Sequence, residues 1–351
     1  MQLYNKLNNN ERKALIQSAG EERLTISFYK YVKINNPEIF RNFLFVFWDS
    51  IDVLGRIYVA VEGINAQLSV PACKFDQFKG HLDSIYFLSD VRLNIAIEHS
   101  EYSFLKLKVK VKTKIVADGL SDHKFDIDNS GTHVDAVKFN KLVDDPNTLL
   151  IDMRNHYESE IGHFKGAITP DVDTFRESLE IIEKKLNNFK GTKNLLMYCT
   201  GGIRCEKASA YYKHRGFKNI FQLEGGIISY TRQVKLEGLE NKFIGKNFVF
   251  DDRRAEIISK DVIAKCHQCG APADTHVNCA NDACNLLFIQ CDACKEKMEN
   301  CCSVRCKEIN GLPFSEQKLL RKGKGNSNDI FKKGKSNRLK YKKNLETIFK
   351  R

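Results

Sequence analysis

The stretch "LLMYCTGGIRCEKASAYY" (195–212) places Cys199 directly after an apolar run and ahead of a segment with helical character. Thr200, Gly201, Gly202, Ile203 and Arg204 lie between the two. Glycines let a backbone curl until several N–H groups point at one spot, and a helix start adds the positive end of its dipole. Such a cradle lowers a thiol's pKa and favours the nucleophilic thiolate. It would equally hold an anionic persulfide or a bound oxyanion. Arg204, inside the loop, is the candidate to stabilise a negative intermediate. Cys205 begins the following helix, is a candidate resolving thiol, and is expected to point away from the loop interior. A C-x5-R loop encloses a tetrahedral phosphate, but here the spacing is C-x4-R and the next position holds Cys205. The tighter ring favours sulfur chemistry over phosphate-ester chemistry.

Nine of the twelve cysteines fall between 266 and 306, which marks a separate small module. Cys266 and Cys269 form a C-x2-C pair, Cys279 and Cys284 a C-x4-C pair, and Cys291 and Cys294 a second C-x2-C pair. Cys302 with Cys306 completes the set as the shorter C-x3-C knuckle, leaving Cys301 over. Thiol pairs at this spacing grip a tetrahedral zinc, so two interlocked four-thiolate sites with a structural role are expected.

A third pattern is "FLKLKVKVKTK" (104–114). Alternation on a strand turns Leu105, Leu107, Val109 and Val111 to a core and Lys106, Lys108, Lys110 and Lys112 to the other face, with Lys114 extending the row. Like charges about 7 Å apart repel unless an anion covers them, and RNA phosphates would serve. An edge strand protected from pairing by lysines is the alternative.

The elements that must position these residues read as follows. From "RLTISFYKYVKI" to "VRLNIAIEH" the order is β-α-β-β-α-β, with a turn at Glu62 and Gly63, which is the order of a ferredoxin-like sandwich. Residues 1–125 are assigned to it. Over 133–240 strands alternate with helices, which implies a parallel sheet with its ligand site at the carboxyl ends of the strands. Cys199 sits at one such end. Asp152 and Arg154 end the first strand of this segment and can brace the loop by charge-assisted hydrogen bonds or form a structural ion pair. His163 orders its own turn. The cysteine-rich module takes 255–312. The class is therefore a multidomain α/β and α+β protein.

Net charge is +12, and residues 317–351 carry 13 Lys+Arg against 2 acidic residues, or +11 of it. The span 313–351 reads as a disordered basic tail able to attract polyanions. The N-terminus is polar, and "FLFVFW" (43–48) is too short to cross a bilayer, so a cytoplasmic protein without membrane partners is expected. No flavin, haem or nucleotide signature is present, nor an iron facial triad among the nine histidines.

"IDMRNHYESEIGHFKGAI" with "MYCTGGIRCEKASAYYKHRGF" and "LEGGI" resembles the rhodanese domain, and Cys199 takes the place of its persulfide-forming cysteine. More narrowly, "GRIYVAVEGINAQLSVP", "CTGGIRCEKASA" and "FVFDDR" resemble the rhodanese-domain tRNA uridine(34) hydroxylases over roughly residues 1–312. The resemblance implies a ferredoxin-like or acylphosphatase-like N-terminal domain, a rhodanese domain and a cysteine-rich C-terminal part. It implies oxygen-dependent conversion of the wobble uridine to 5-hydroxyuridine, with molecular oxygen as co-substrate and the tRNA anticodon arm as partner. Glu62, Gly63, Ile64 and Asn65 match a signature of that family. The loop read by itself leads instead to a sulfurtransferase forming a persulfide on Cys199. No protein partner is inferred.

Overall fold

In the computed structural model, which describes residues 3, 5, 7–120, 125–322, 333–335 and 339, the chain divides into two units. The first comprises Met1–Met153, Leu179–Asn241 and Val249–Glu256, the second Arg154–Ser178, Lys242–Phe248 and Ile257–Arg351.

The first unit opens on a helix that the sequence reading passed over, α1 (Asn9–Ala19), started by a capping box of Asn8 and Glu11 and stopped by Gly20 at φ 60°. Then follow β1 (Arg23–Tyr31), α2 (Pro37–Ser50), β2 (Leu54–Ala60), β3 (Gly63–Pro71), α3 (Phe75–Ser84), β4 (Asn94–Ile95) and β5 (Leu107–Val111). The sheet order β4-β1-β3-β2-β5 contains the expected sandwich, with β5 added parallel to β2 at the edge. One sheet face joins α2 and α3 in a core that includes Phe28, Trp48, Ile57, Leu68 and Phe78. Burying each such side chain stabilises by roughly 1.5–3 kcal/mol. The β2–β3 turn needs Gly63: its φ is +145°, and a Cβ there would lie 2.1 Å from the Lys30 carbonyl oxygen. The strand expected over "VRLNIAIEH" shrinks to two residues because its edge is taken elsewhere. The Ile97 N–H donates to the Glu256 carboxylate (2.9 Å) and the Glu98 carbonyl accepts from Arg253 (2.5 Å).

From Thr132 strands and helices alternate: β6 (Thr132–Val134), α4 (Ala136–Asp144), β7 (Thr148–Asp152), α5 (His156–Ser159), β8 (Gly162–Phe164), α6 (Phe175–Leu186), β9 (Asn194–Tyr198), α7 (Ile203–His214), β10 (Ile220–Leu223) and α8 (Gly226–Glu237). Strands β6-β10-β9-β7 form the parallel sheet, with Cys199 directly after β9. Helices α4 and α8 were not anticipated.

In the second unit β11 (Phe243–Phe248) pairs antiparallel with β8; β12 (Ala255–Ile257) follows in the chain, where the division between the units falls. The cysteine-rich part holds the hairpin β13 (His276–Asn278)–β14 (Leu287–Ile289) and helices α9 (Asp292–Met298), α10 (Val304–Asn310) and α11 (Phe314–Arg321). Helix α11 corrects the reading of 313–351 as unstructured at its start: Arg321 bonds Asp282 (2.9 Å) and lies over the Phe314 ring. Lys333 caps the Tyr157 ring at 4.2 Å, and Leu339 is fully buried with Phe288 and Leu286. The rest of that span lies outside the described residues. Among the described residues no helix is long and apolar enough to cross a membrane.

Candidate active site

The apolar β9 delivers Cys199 to the end of the parallel sheet, where it is fully buried. Gly202, at φ +103°, aims its N–H at the Cys199 sulfur (3.1 Å) and caps α7. The helix thus starts at Ile203, two residues earlier than expected, and Arg204 lies in its first turn. Burial pushes the Cys199 pKa up, but a hydrogen bond from the Cys205 thiol, the Arg204 charge and the N–H groups of Arg204 and Gly202 together bring it down to about 6. Cys205 therefore does not point away from the loop. Its thiol lies against Cys199, and burial plus the neighbouring thiolate hold its own pKa well above the usual value. At neutral pH the pair is one thiolate solvated by one thiol.

The loop's carbonyls are held as tightly as its sulfur. The N-terminal N–H groups of α8, those of Ile227 and Ile228, donate to the carbonyls of Cys199 (3.1 Å) and Thr200 (3.3 Å). That approach requires Gly226, whose φ is +64° and where a Cβ would meet the Cys199 oxygen at 2.5 Å. The apolar-run logic that found β9 carries no signal for this contact; the pair "GG" at 225–226 was its only trace in sequence. Asp152 accepts from the Tyr198 hydroxyl (2.7 Å), so it braces the residue before Cys199. Arg154, in the other unit, donates to the Gly162 carbonyl (2.7 Å) and lies over the Phe243 ring. His163 donates its Nδ1–H to the Ser159 carbonyl (2.9 Å), within its own turn. Arg204 reaches Thr200 Oγ1 (3.4 Å) and stacks 6.0 Å from the centre of the Phe250 ring.

The polar face of the five-stranded sheet supplies groups that sequence reasoning missed. Tyr29 donates to Glu206 (3.0 Å), and its hydroxyl leaves no room for a side chain at Gly202, where a Cβ would come within 2.7 Å. Asn94 donates to the Gly201 carbonyl (3.3 Å). Glu206 also meets His133 (2.8 Å) and Gln222 (2.9 Å), which hold its carboxyl below the usual range against the cost of burial. The "EGIN" stretch fastens the same helix. Glu62 takes a buried ion pair from Lys207 on α7 (2.5 Å) and the N–H of Ile115 (2.7 Å), while Asn65 donates to the Ile115 carbonyl (3.1 Å). Thr25, Ser27, Gln67, Asn94, Thr200 and Phe250 line a small cleft of about 40 Å³ that opens to solvent.

Lys108, Lys110 and Lys112 project from β5 into solvent, Lys106 is half-buried, and Leu107 and Val109 face the core. Lys114 leaves the row: it binds Asp118 (2.7 Å) and the Leu120 carbonyl (2.5 Å). The row lies on an edge strand of the five-stranded sheet.

The cysteine pairs of the second unit come together alternately. Cys266, Cys269, Cys291 and Cys294 form one group, Cys279, Cys284, Cys302 and Cys306 the other, with the sulfurs of each within 4.8 Å of one another. A tetrahedral ion with sulfurs at about 2.3 Å requires edges of about 3.8 Å. The observed sulfur separations of 3.6 Å (Cys269–Cys291, Cys284–Cys302) and 3.7 Å (Cys302–Cys306) fit it. Both clusters can hold a metal ion.

Residues 23–115 match the UPF0176 acylphosphatase like domain, 135–233 the Rhodanese-like domain and 244–307 the Rhodanase C-terminal family. Similar relatives are a tRNA uridine(34) hydroxylase of Pectobacterium carotovorum subsp. carotovorum, 52% identical over 95% of this chain and 94% of its own, and one of Yersinia enterocolitica, 53% identical over 95% of each. One of Leptospira interrogans is 53% identical over 91% of this chain and 87% of its own.

Proposed function

The chain belongs to the tRNA uridine(34) hydroxylase family, and from that premise we propose that it hydroxylates C5 of a tRNA wobble uridine with molecular oxygen as co-substrate. One oxygen atom enters the C5–H bond; the other leaves as water with two electrons and two protons from a cellular reductant. The observation that supports this reading best is the buried Cys199 thiolate, held by the Gly202 N–H, the Cys205 thiol and Arg204 at the end of a parallel strand. Cys199 is the reactive group brought to the base. Arg204 and the loop N–H groups hold the negative charge that passes through it. Thr200, Gly201 and Ile203 shape the turn, Asp152 positions the residue before it through the Tyr198 hydroxyl, and Arg154 supports its own unit by holding the Gly162 carbonyl. Anticodon-arm phosphates lie on Lys106, Lys108, Lys110 and Lys112. A wobble base, already single-stranded, is turned out into the site at little cost. The work is done in the cytoplasm, where such a substrate is found.

Zinc is the metal we assign to the two cysteine clusters. Four thiolates close each site, so its chemistry is to hold the small module folded.

The test is nucleoside analysis of tRNA from cells lacking the chain, complemented with the parent or with Cys199→Ser. The parent restores 5-hydroxyuridine, whereas the variant loses it by orders of magnitude. Normal hydroxyuridine with Cys199→Ser defeats the assignment. The same anion cradle favours a second reading, a persulfide-forming sulfurtransferase. Thiosulfate:cyanide turnover with hydroxyuridine unaffected by loss of the chain would put it first.

A further inference from the structure

The register of the five-stranded sheet aligns one residue from every strand. Asn94 of β4 sits opposite Ser27 of β1, Ser27 opposite Gln67 of β3, Gln67 opposite Arg56 of β2, and Arg56 opposite Lys108 of β5. Strands about 4.8 Å apart make this row about 19 Å long. Cross-strand partners share a face, and this face is the one turned away from the core of α2 and α3. Their strand neighbours Ile26, Phe28, Ile57, Ala66, Leu68 and Val109 are buried on the other side.

The row changes character along its length. At the sheet edge Lys108 and Arg56 are exposed cations, with Lys106 and Lys110 beside them. In the middle Gln67 and Ser27 are half-buried and neutral. At the far end Asn94 is buried and donates to Gly201 of the Cys199 loop. Gln67, Ser27 and Asn94 also line the cleft shared with Thr200 and Phe250. Among the described residues the side chains of Lys108, Arg56, Gln67 and Ser27 make no hydrogen bond or ion pair with the rest of the protein, so the polar groups of this row are left for something else. Burial and the charges of Arg56, Lys110 and Lys106 lower the pKa of Lys108, a repulsion that a bound anion would relieve.

We propose that this row is the track of a single-stranded RNA segment, with Arg56 and Lys108 on successive backbone phosphates and Gln67 and Ser27 on the edge of the base presented to the loop. The proposal rests on the tRNA reading above and adds the residues that read the base. A glutamine amide carries a donor and an acceptor on one side, which match O4 and N3–H of an unstacked uracil. Ser27 adds a rotatable hydroxyl. Phe250, at the cleft wall, offers a ring for the face of the base. Sheet faces of this size present side chains to unstacked bases in other RNA-binding modules.

The experiment uses the full chain and a tRNA anticodon stem-loop carrying 4-thiouridine at the wobble position. Irradiation should join it to a β1 or β3 peptide containing Ser27 or Gln67. Arg56→Ala with Lys108→Ala should weaken tRNA binding about tenfold at moderate salt and reduce the slope of log affinity against log salt by about 1.4, the loss of two single-strand contacts. Gln67→Ala should lower kcat/KM about tenfold, the worth of about one hydrogen bond, with overall tRNA affinity almost unchanged. All three positions are on an outer face, so the melting temperature serves as the control for folding. Adducts confined to other peptides would overturn the track. So would a triple variant, correctly folded, that binds and hydroxylates tRNA like the parent, and that result would leave the hydroxylase reading intact. A parent chain that crosslinks at β1 or β3 but makes no hydroxyuridine would defeat the hydroxylase reading and leave the track standing.

Discussion

At the residue scale the site reduces to two sulfurs and the charges around them. Cys199 and Cys205 are chemically alike and buried alike, yet their pKa values move in opposite directions because one thiol donates to the other. Proton count decides which is the nucleophile: two adjacent buried thiolates would repel, so only one ionises. Cys199 wins because Gly202 and Arg204 face it. Thiolate should therefore appear as pH rises through about 6, and hydroxylation should rise over the same range. Cys205→Ala removes a donor to the thiolate, so the midpoint should move upward toward the ordinary thiol value and activity at neutral pH should fall. The ultraviolet absorbance of the thiolate against pH measures this directly. An unmoved midpoint would show that Cys205 only packs.

At the element scale the loop is a junction between one strand and the starts of two helices. β9 presents the sulfur, α7 supplies Gly202 and Arg204, and α8 clamps the carbonyls of Cys199 and Thr200. Gly226→Ala tests the clamp. The new methyl would press on two carbonyl oxygens, at 2.5 and 2.6 Å, from a residue already at positive φ. The left-handed backbone alone costs roughly 1–2 kcal/mol, and each kcal/mol lowers Tm by about 2–4 °C in a domain of this size. Because the shifted atoms belong to Cys199 and Thr200, activity should fall further than the stability loss explains. A variant that loses Tm but keeps its kcat would show that the loop tolerates displacement. α1 was missed because its apolar content is low and its caps, rather than a periodic face, define it.

At the scale of the whole molecule, the cysteine-rich part of the second unit gathers eight of its thiols into two clusters. Residues 277–306 bury Val277, Leu286, Phe288, Ile289 and five cysteines, an apolar surface small enough that a metal staple is expected to hold the module. Protein purified without chelator should contain about two zinc ions per chain, and a strong chelator should unfold this module. Zinc-free protein of unchanged stability would remove the metal from the account. The basic tail separates into parts. Leu339 is packed in the module, so truncation after residue 340 should leave the two cysteine clusters intact. It removes Lys342, Lys343, Lys350 and Arg351 against Glu346. The tRNA salt slope should become shallower and kcat at saturating tRNA should hold. Loss of turnover with binding intact would place the tail in the active site.

What the amino-acid order determined by itself was local or periodic. The 2-residue alternation of β5, the β-α-β-β-α-β succession, the apolar run into Cys199, the C-x4-R spacing and the paired cysteines are all properties of neighbours in the chain. They were legible because strand pleat, helix pitch and a metal's coordination sphere act over a few residues. Only the tertiary structure decided which distant groups complete the site. Tyr29 and Asn94 are ordinary residues in their own segments, and although Gln67 and Phe250 lie in the stretches "GRIYVAVEGINAQLSVP" and "FVFDDR", nothing local says which of their side chains face the cleft. They reach the Cys199 cleft because sheet register places Ser27, Gln67 and Asn94 in one row and because Glu62 takes the buried ammonium of Lys207. The contact of Cys205 with Cys199 has the same origin. A helix that starts two residues early turns its first side chains by about 200° at 100° per residue, which is enough to convert a thiol expected to face outward into the partner of the nucleophile.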